Sequence, residues 1–209
     1  YRHDLNCVFV PKHERVIIFN VTTSYKTKPA RRVTMRLKNK RVAVFVELEF
    51  EDLEFWVPVM RLQEEGAQVT IVAPKAKQTY KGKYGVSATS DVAAADVNAD
   101  QFDALVVPGG WAPDKLRRYE AVTNLVRDMY AQKKVIGMIC HAGWVGISAN
   151  IVRGHRATGS VALKDDLNNA GAIWTDEAAF RDGNLVWGRV VKDIPDFCRE
   201  LVAAIEESA

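Results

Sequence analysis

From residue 41 onward, short runs of branched apolar residues alternate with stretches of helical apolar spacing, and this alternation restricts the fold more than any other feature of the chain. Arg41–Val46 reads as a strand, and Asp52–Glu65 as a helix stopped at Gly66, a natural C-cap. Gln68–Ala73 reads as a second strand, ended by Pro74. Residues 80–90 carry Gly82 and Gly85 among β-formers and read as a short hairpin or edge excursion. Asp103–Val107 is a buried strand running into Pro108-Gly109-Gly110, and Pro113–Gln132 a helix. Val135–Ile139 is a strand, His141–Asn150 a helix, and Ala172–Thr175 and Leu185–Arg189 further strands. Asp193–Glu207 closes the chain as an amphipathic helix with Pro195 in its tolerant first turn. Alternation with short loops implies an α/β fold with a mostly parallel sheet and helices on both faces. No repeat or linker divides residues 41–209, so they are expected to form one domain.

Charge separates the amino-terminal segment from the rest. Residues 1–40 hold ten Lys and Arg against two acids, whereas residues 41–209 hold nineteen against twenty-four. The first segment is expected to be a basic extension, disordered or accessory, with a strand at Val16–Phe19 and with residues 1–34 lying upstream of the domain. The mildly acidic remainder lacks a clustered basic footprint, which argues against a nucleic-acid partner. No apolar run approaches the ~18 residues of a membrane span, so no membrane partner is expected. The three cysteines (Cys7, Cys140, Cys198) are too few and too widely spaced for a disulfide framework or a zinc site. That usage fits a reducing cytoplasm and a chain without a bound metal.

Chemistry concentrates at Cys140. It follows a strand of apolar residues and precedes His141-Ala142-Gly143-Trp144, small enough to start a helix. A strand that breaks sharply into a helix exposes its corner residue at the sheet's carboxyl edge and aims it at free backbone N–H groups. In open α/β sheets ligands collect at that edge. Such a thiol is expected to ionise below its ordinary value of about 8.5 and to act as a nucleophile; the competing reading is a buried structural cysteine.

Two other segments fall at the same edge. Glu47, Glu49, Glu51, Asp52 and Glu54 crowd the first strand–helix junction, most of them as solvated first-turn charges. One carboxylate brought against Cys140 would hold its proton or fix its orientation. Gly109-Gly110 allows close backbone approach, either as a plain turn or as N–H groups aimed at an oxyanion. His141 is a base candidate by residue type. His155, beside Arg153 and Arg156, reads as a surface histidine, and Cys198 as core packing.

The segments Phe50-Glu51-Asp52-Leu53-Glu54, Phe102 through Asp114, Ile139-Cys140-His141, Lys164 through Gly171 and Asp182-Gly183-Asn184-Leu185 together resemble the PfpI family, part of the superfamily of the parkinsonism-associated deglycase. The likeness covers roughly residues 41–205, with the motifs in order. It implies a flavodoxin-like three-layer α/β sandwich with Cys140 on a nucleophile elbow and Glu54 hydrogen-bonded to it. It further implies an oxyanion hole from the N–H groups of Gly110 and His141, with Gly109, Trp111, Trp144 and Ser160 around the pocket. Asp114 would reach the histidine of a neighbouring subunit in a homodimer or larger ring. The resemblance implies neither metal nor organic cofactor.

Three departures from the family pattern bear on specificity. Asp114 stands where a glutamate is usual. Cys140-His141-Ala142-Gly143 replaces a Cys-His-Gly-Pro run, and Ser160-Val161 replaces an aromatic residue and a proline.

The sequence therefore favours a stress-related cysteine enzyme acting on a small-molecule or peptide substrate: reactive carbonyls by glyoxalase- or deglycase-like chemistry, or amides as a peptidase. The rival from another class is a redox-sensing or chaperone-like protein whose Cys140 oxidises to sulfinic acid. Glutamine amidotransferase chemistry fits less well, because no histidine follows His155.

Overall fold

The computed structural model describes residues 35–208. Cys7 and the strand expected at Val16–Phe19 lie outside the described residues.

In chain order the strands are β1 (Arg41–Phe45), β2 (Gln68–Ala73), β3 (Thr79–Lys81), β4 (Ser87–Thr89), β5 (Val92–Ala93), β6 (Ala104–Val107), β7 (Val135–Ile139), β8 (Arg156–Ala157), β9 (Ile173–Trp174), β10 (Ala179–Asp182) and β11 (Leu185–Gly188). The helices are α1 (Asp52–Glu64), α2 (Ala112–Leu116), α3 (Glu120–Ala131), α4 (Gly143–Ser148), α5 (Lys164–Asn169) and α6 (Ile194–Glu207). The central sheet runs β10-β11-β7-β6-β1-β2-β5, parallel at every pairing except β10–β11. The chain folds into the expected flavodoxin-like α/β sandwich.

The inner strands β6 and β7 are buried along their whole length because helices cover both faces, which is why their sequences are continuous rather than alternating apolar runs. Parallel order puts the carboxyl ends of β1, β6 and β7 side by side, and the loops leaving them carry Glu47–Glu51, Pro108–Trp111 and Cys140. Helix α6 lies against β7 and β11, with Phe197 and Leu201 fully buried. Two strand glycines make this approach close: a Cβ on Gly137 would stand 2.9 Å from Leu201 Cδ1, and one on Gly188 2.9 Å from the Phe197 ring.

Three expectations are corrected. The helix read over Pro113–Gln132 is two helices. Short-range bonds from Arg118 N to Lys115 O and from Tyr119 N to Leu116 O close α2; Tyr119 then turns extended, and its carbonyl accepts the first N–H groups of α3. No glycine or proline marks this break. Strand β10 was not foreseen, because Arg181 and Asp182 make it polar; it forms a hairpin with β11 through Gly183-Asn184, with Gly183 at φ +61°. The strand read at Ala172–Thr175 is only Ile173–Trp174, paired with β8 outside the main sheet.

Gly137→Val should crowd Leu201 and Phe197 and lower stability by about 1–3 kcal/mol without changing the fold. Urea denaturation of the two proteins checks this.

Candidate functional site

At the end of β7 the backbone leaves the extended conformation of Ile139 and enters the left-handed region at Cys140, φ +61°. A β-carbon there is strained by about 1–3 kcal/mol, so surrounding contacts must hold it. The Cys140 carbonyl accepts the Ser160 N–H at 3.1 Å, and Gly159 lies so near that a Cβ would sit 2.5 Å from that oxygen. A short 3₁₀ turn, Cys140–Ala142, leads into α4. Cys140 thus stands at a sharp strand–helix corner, as expected.

The turn after β6 supplies the second wall. Gly110 takes φ +74° and bridges to Phe50, while Glu51 N donates to Gly109 O at 3.1 Å and Trp111 N to Glu49 O at 2.8 Å. Gly109 fills the space between two side chains: a Cβ on it would lie 2.3 Å from Glu54 Oε2 and 2.7 Å from Cys140 Cβ. Only glycine lets the carboxylate and the thiol come together here. The backbone N–H groups of Gly110 and His141 lie near the Cys140 sulfur and favour its ionised form, against the effect of burial.

Glu54 arrives from the first turn of α1. Glu51, the N-cap, accepts the Glu54 N–H at 2.7 Å, and Glu54 Oε2 accepts the Gly109 N–H at 3.0 Å. Glu54 is 0 % exposed, its Oε1 has no hydrogen-bond partner among the described residues, and the carboxyl lies beside Cys140 across Gly109, where its charge acts on the thiol. The β3–β4 hairpin closes one side: Asp52 accepts the N–H groups of Tyr84 (2.8 Å) and Val86 (2.7 Å), pinning the turn. The resulting cavity of about 400 Å³ is lined by Cys140, His141, Glu54, Trp111, Lys83, Lys192 and their neighbours.

Burial sets the protonation. It pushes the Glu54 carboxyl up to about 8, with the charge of Glu51 adding to the shift. Burial also raises the Cys140 thiol, and the negative charge and hydrogen bond of Glu54 raise it further. This corrects the expectation of an independently acidic thiol: the two groups titrate as a pair, and the proton that remains after the first ionisation is shared across the Cys140–Glu54 contact. His141 Nδ1 lies 3.3 Å from Sγ, and burial together with the charge of Lys83 lowers its pKa, so the imidazole is neutral at pH 7. Its ring is held between Trp111 and Trp144, at centroid distances of 5.6 and 5.1 Å.

Of the residues singled out from sequence, Cys140, His141, Glu54, Gly110 and Trp111 surround the cavity. Gly109, Trp144 and Ser160 stand behind it instead: Gly109 is the wedge, Trp144 braces His141 while donating to Asp166 at 2.8 Å, and Ser160 holds the Cys140 carbonyl. Within one chain Asp114 does not meet His141; it is exposed on α2 and pairs with Arg118. His155 is not a simple surface residue, since it bonds Tyr130 Oη at 2.7 Å and Asp182 Oδ2 at 3.2 Å, at the opposite end of the sheet from Cys140. Sequence reasoning missed Lys83, Tyr84 and Val190–Lys192, which reach the cavity from a hairpin and from the loop before α6. The Gly82–Gly85 turn signal marked one of those segments without marking its destination.

Comparison with known proteins gives concordant results. The model of the DJ-1/PfpI family matches residues 40–204. A deglycase of Pyrococcus abyssi is 39% identical over 79% of this chain and 99% of its own. General stress protein 18 of Bacillus subtilis is 36% identical over 80% of this chain and 99% of its own. Among solved structures, a two-domain Anabaena variabilis protein containing DJ-1/ThiJ/PfpI-like and ferritin-like domains superposes with TM-score 0.77 at 37% identity, covering 78% of this chain and 47% of that one. Drosophila melanogaster DJ-1beta superposes with TM-score 0.73 at 25% identity, covering 80% and 94%.

The raised Glu54 value has a consequence for stability. Below its ordinary 4.5 the carboxyl is protonated in folded and unfolded chains alike; between there and about 8 only the folded chain keeps the proton. Native protein therefore loses stability as pH rises through that window. Relative to Glu54→Gln, the wild type should lose about 3 kcal/mol between pH 5 and pH 8, read by urea unfolding.

Proposed function

This chain belongs to the DJ-1/PfpI family, and we propose that it is a stress-related enzyme whose Cys140 attacks the carbonyl of small reactive aldehydes, in glyoxalase- or deglycase-like chemistry. The observation that carries this reading is the meeting of the Cys140 sulfur, the buried Glu54 carboxyl and two backbone N–H groups at an open cavity. Relatives named deglycase and general stress protein support it. A cavity of about 400 Å³ suits a small carbonyl compound better than an extended peptide.

The roles follow from position. Once the Cys140–Glu54 pair has lost one proton, the sulfur adds to an aldehyde carbon as the thiol proton passes to the Glu54 carboxylate. The carbonyl oxygen becomes an alkoxide within reach of the Gly110 and His141 N–H groups, then takes a proton to give a hemithioacetal. Neutral His141, with Nδ1 3.3 Å from Sγ, is suited to take the proton from that carbon and return it to the adjacent carbonyl carbon. The first carbon is thereby oxidised to a thioester and the second reduced to an alcohol. Water then breaks the C–S bond, releasing a 2-hydroxy acid and the thiol, so the net reaction consumes only water. Assembly with a second copy would add Asp114 as the acid that orients His141, completing an acid–His–Cys arrangement across an interface.

Methylglyoxal should be converted to lactate by the wild type, and Cys140→Ser should lose at least about 10²-fold in kcat/KM. Equal turnover by the two proteins would refute the nucleophile. No turnover together with a gain of two oxygens on Cys140 under mild peroxide would favour the redox-sensor reading instead.

A further inference from the structure

Two lysines open onto the Cys140 cavity, and neither serves the carbonyl chemistry. Lys83 comes from the β3–β4 turn and Lys192 from the loop before α6, so elements distant in sequence bring two positive charges to one cleft. Lys83 is placed by its backbone: its N–H donates to Phe50 O at 2.9 Å, and Asp52 holds the N–H of the next residue at 2.8 Å. Its ammonium stands 5.3 Å from the ring centroid of Tyr84, which also lines the cavity. Among the described residues neither lysine forms an ion pair, whereas Lys115, also near this edge, is neutralised by Glu49 at 2.6 Å. The field of Lys83 reaches both Glu54 and His141.

The cavity's carboxylates are withdrawn from solvent: Glu51 is buried and accepts the Glu54 N–H, and Glu54 is fully buried, whereas Lys83 and Lys192 are both exposed. Trp111, Val190 and Val191 supply apolar surface for the body of a small ligand. The cavity thus holds a nucleophile beside backbone N–H groups, and among its lining are two exposed lysines without an ion-pair partner among the described residues.

We propose that Lys83 and Lys192 form an anion subsite, and that the enzyme prefers 2-oxoaldehydes carrying a carboxylate or phosphate over neutral ones. This rests on the carbonyl chemistry proposed for Cys140 and names its substrate class. Exposed charge of one sign at a cleft, with the opposite charges buried, both raises the encounter rate and orients the bound anion, leaving the aldehyde end for the sulfur. Lysine suits either anion, being a point charge without the fixed fork of arginine.

The test compares kcat/KM for 4,5-dioxopentanoate, 3-phosphooxy-2-oxopropanal and neutral methylglyoxal, in the wild type and in Lys83→Gln/Lys192→Gln. The wild type should favour at least one anionic aldehyde about tenfold over the neutral one, and the double variant should abolish that ratio. The more strongly affected arm identifies carboxylate or phosphate as the preferred group. A second measurement is independent of turnover: calorimetric binding of the unreactive 4-oxopentanoate and of inorganic phosphate to Cys140→Ser. At least one should bind, weaken with added salt and bind several-fold more weakly when both lysines are replaced. If no oxoaldehyde reacts but this binding holds, the carbonyl reading falls and the anion subsite stands. Turnover with an anionic-to-neutral ratio near one in the wild type, or a ratio unchanged in the double variant, overturns the subsite.

Discussion

The contact that organises this molecule is the one Gly109 permits between Glu54 and Cys140. A hydrogen in place of a side chain lets the α1 carboxyl and the thiol just past β7 close on each other from two segments far apart in the chain. The same glycine donates its N–H to Glu54 and accepts from Glu51, so the loop after β6 is tied to the start of α1 on both edges. The parallel order of β1, β6 and β7 makes this possible, because it ends all three strands at one rim of the sheet.

Burial turns that contact into chemistry. A carboxyl and a thiol sharing a low-dielectric pocket cannot both ionise readily, so after the first proton is lost the remaining one is held between them and strongly retained. The strained backbone at Cys140 belongs to the same arrangement: at φ +61° the sulfur sits near the N–H groups of Gly110 and His141, and the Gly159–Ser160 segment holds the carbonyl on the other side. Two tryptophans fix the imidazole plane without fixing its charge, leaving proton transfer available to His141.

Much of this was legible in the sequence, for physical reasons that differ from residue to residue. Val135–Ile139 followed by Cys140 was readable because a fully buried parallel strand must be continuously apolar, which makes a polar corner conspicuous. Gly109-Gly110 was readable as a close approach, although what it approaches depended on Glu54, 55 residues earlier. The direction of the thiol shift was not readable, because helix position and burial oppose each other and only the packing shows which wins. Lys83 and Lys192 were invisible for another reason: an exposed lysine in a turn has no periodicity, and its neighbours in the cavity come from the far end of the chain. The break at Tyr119 carried no turn residue, and β10 was too polar to stand out.

Proton sharing between Glu54 and Cys140 is tested most directly by the pH dependence of Cys140 alkylation, followed by peptide mass spectrometry so that Cys7 and Cys198 are read separately. The wild-type rate should rise with a midpoint near the pair's first ionisation, about 8, and Glu54→Gln should move that midpoint upward by about one unit or more, because the buried thiol then loses its proton acceptor. Superimposable profiles in the two proteins would mean that the sulfur ionises on its own and that the carboxyl beside it is only a packing group.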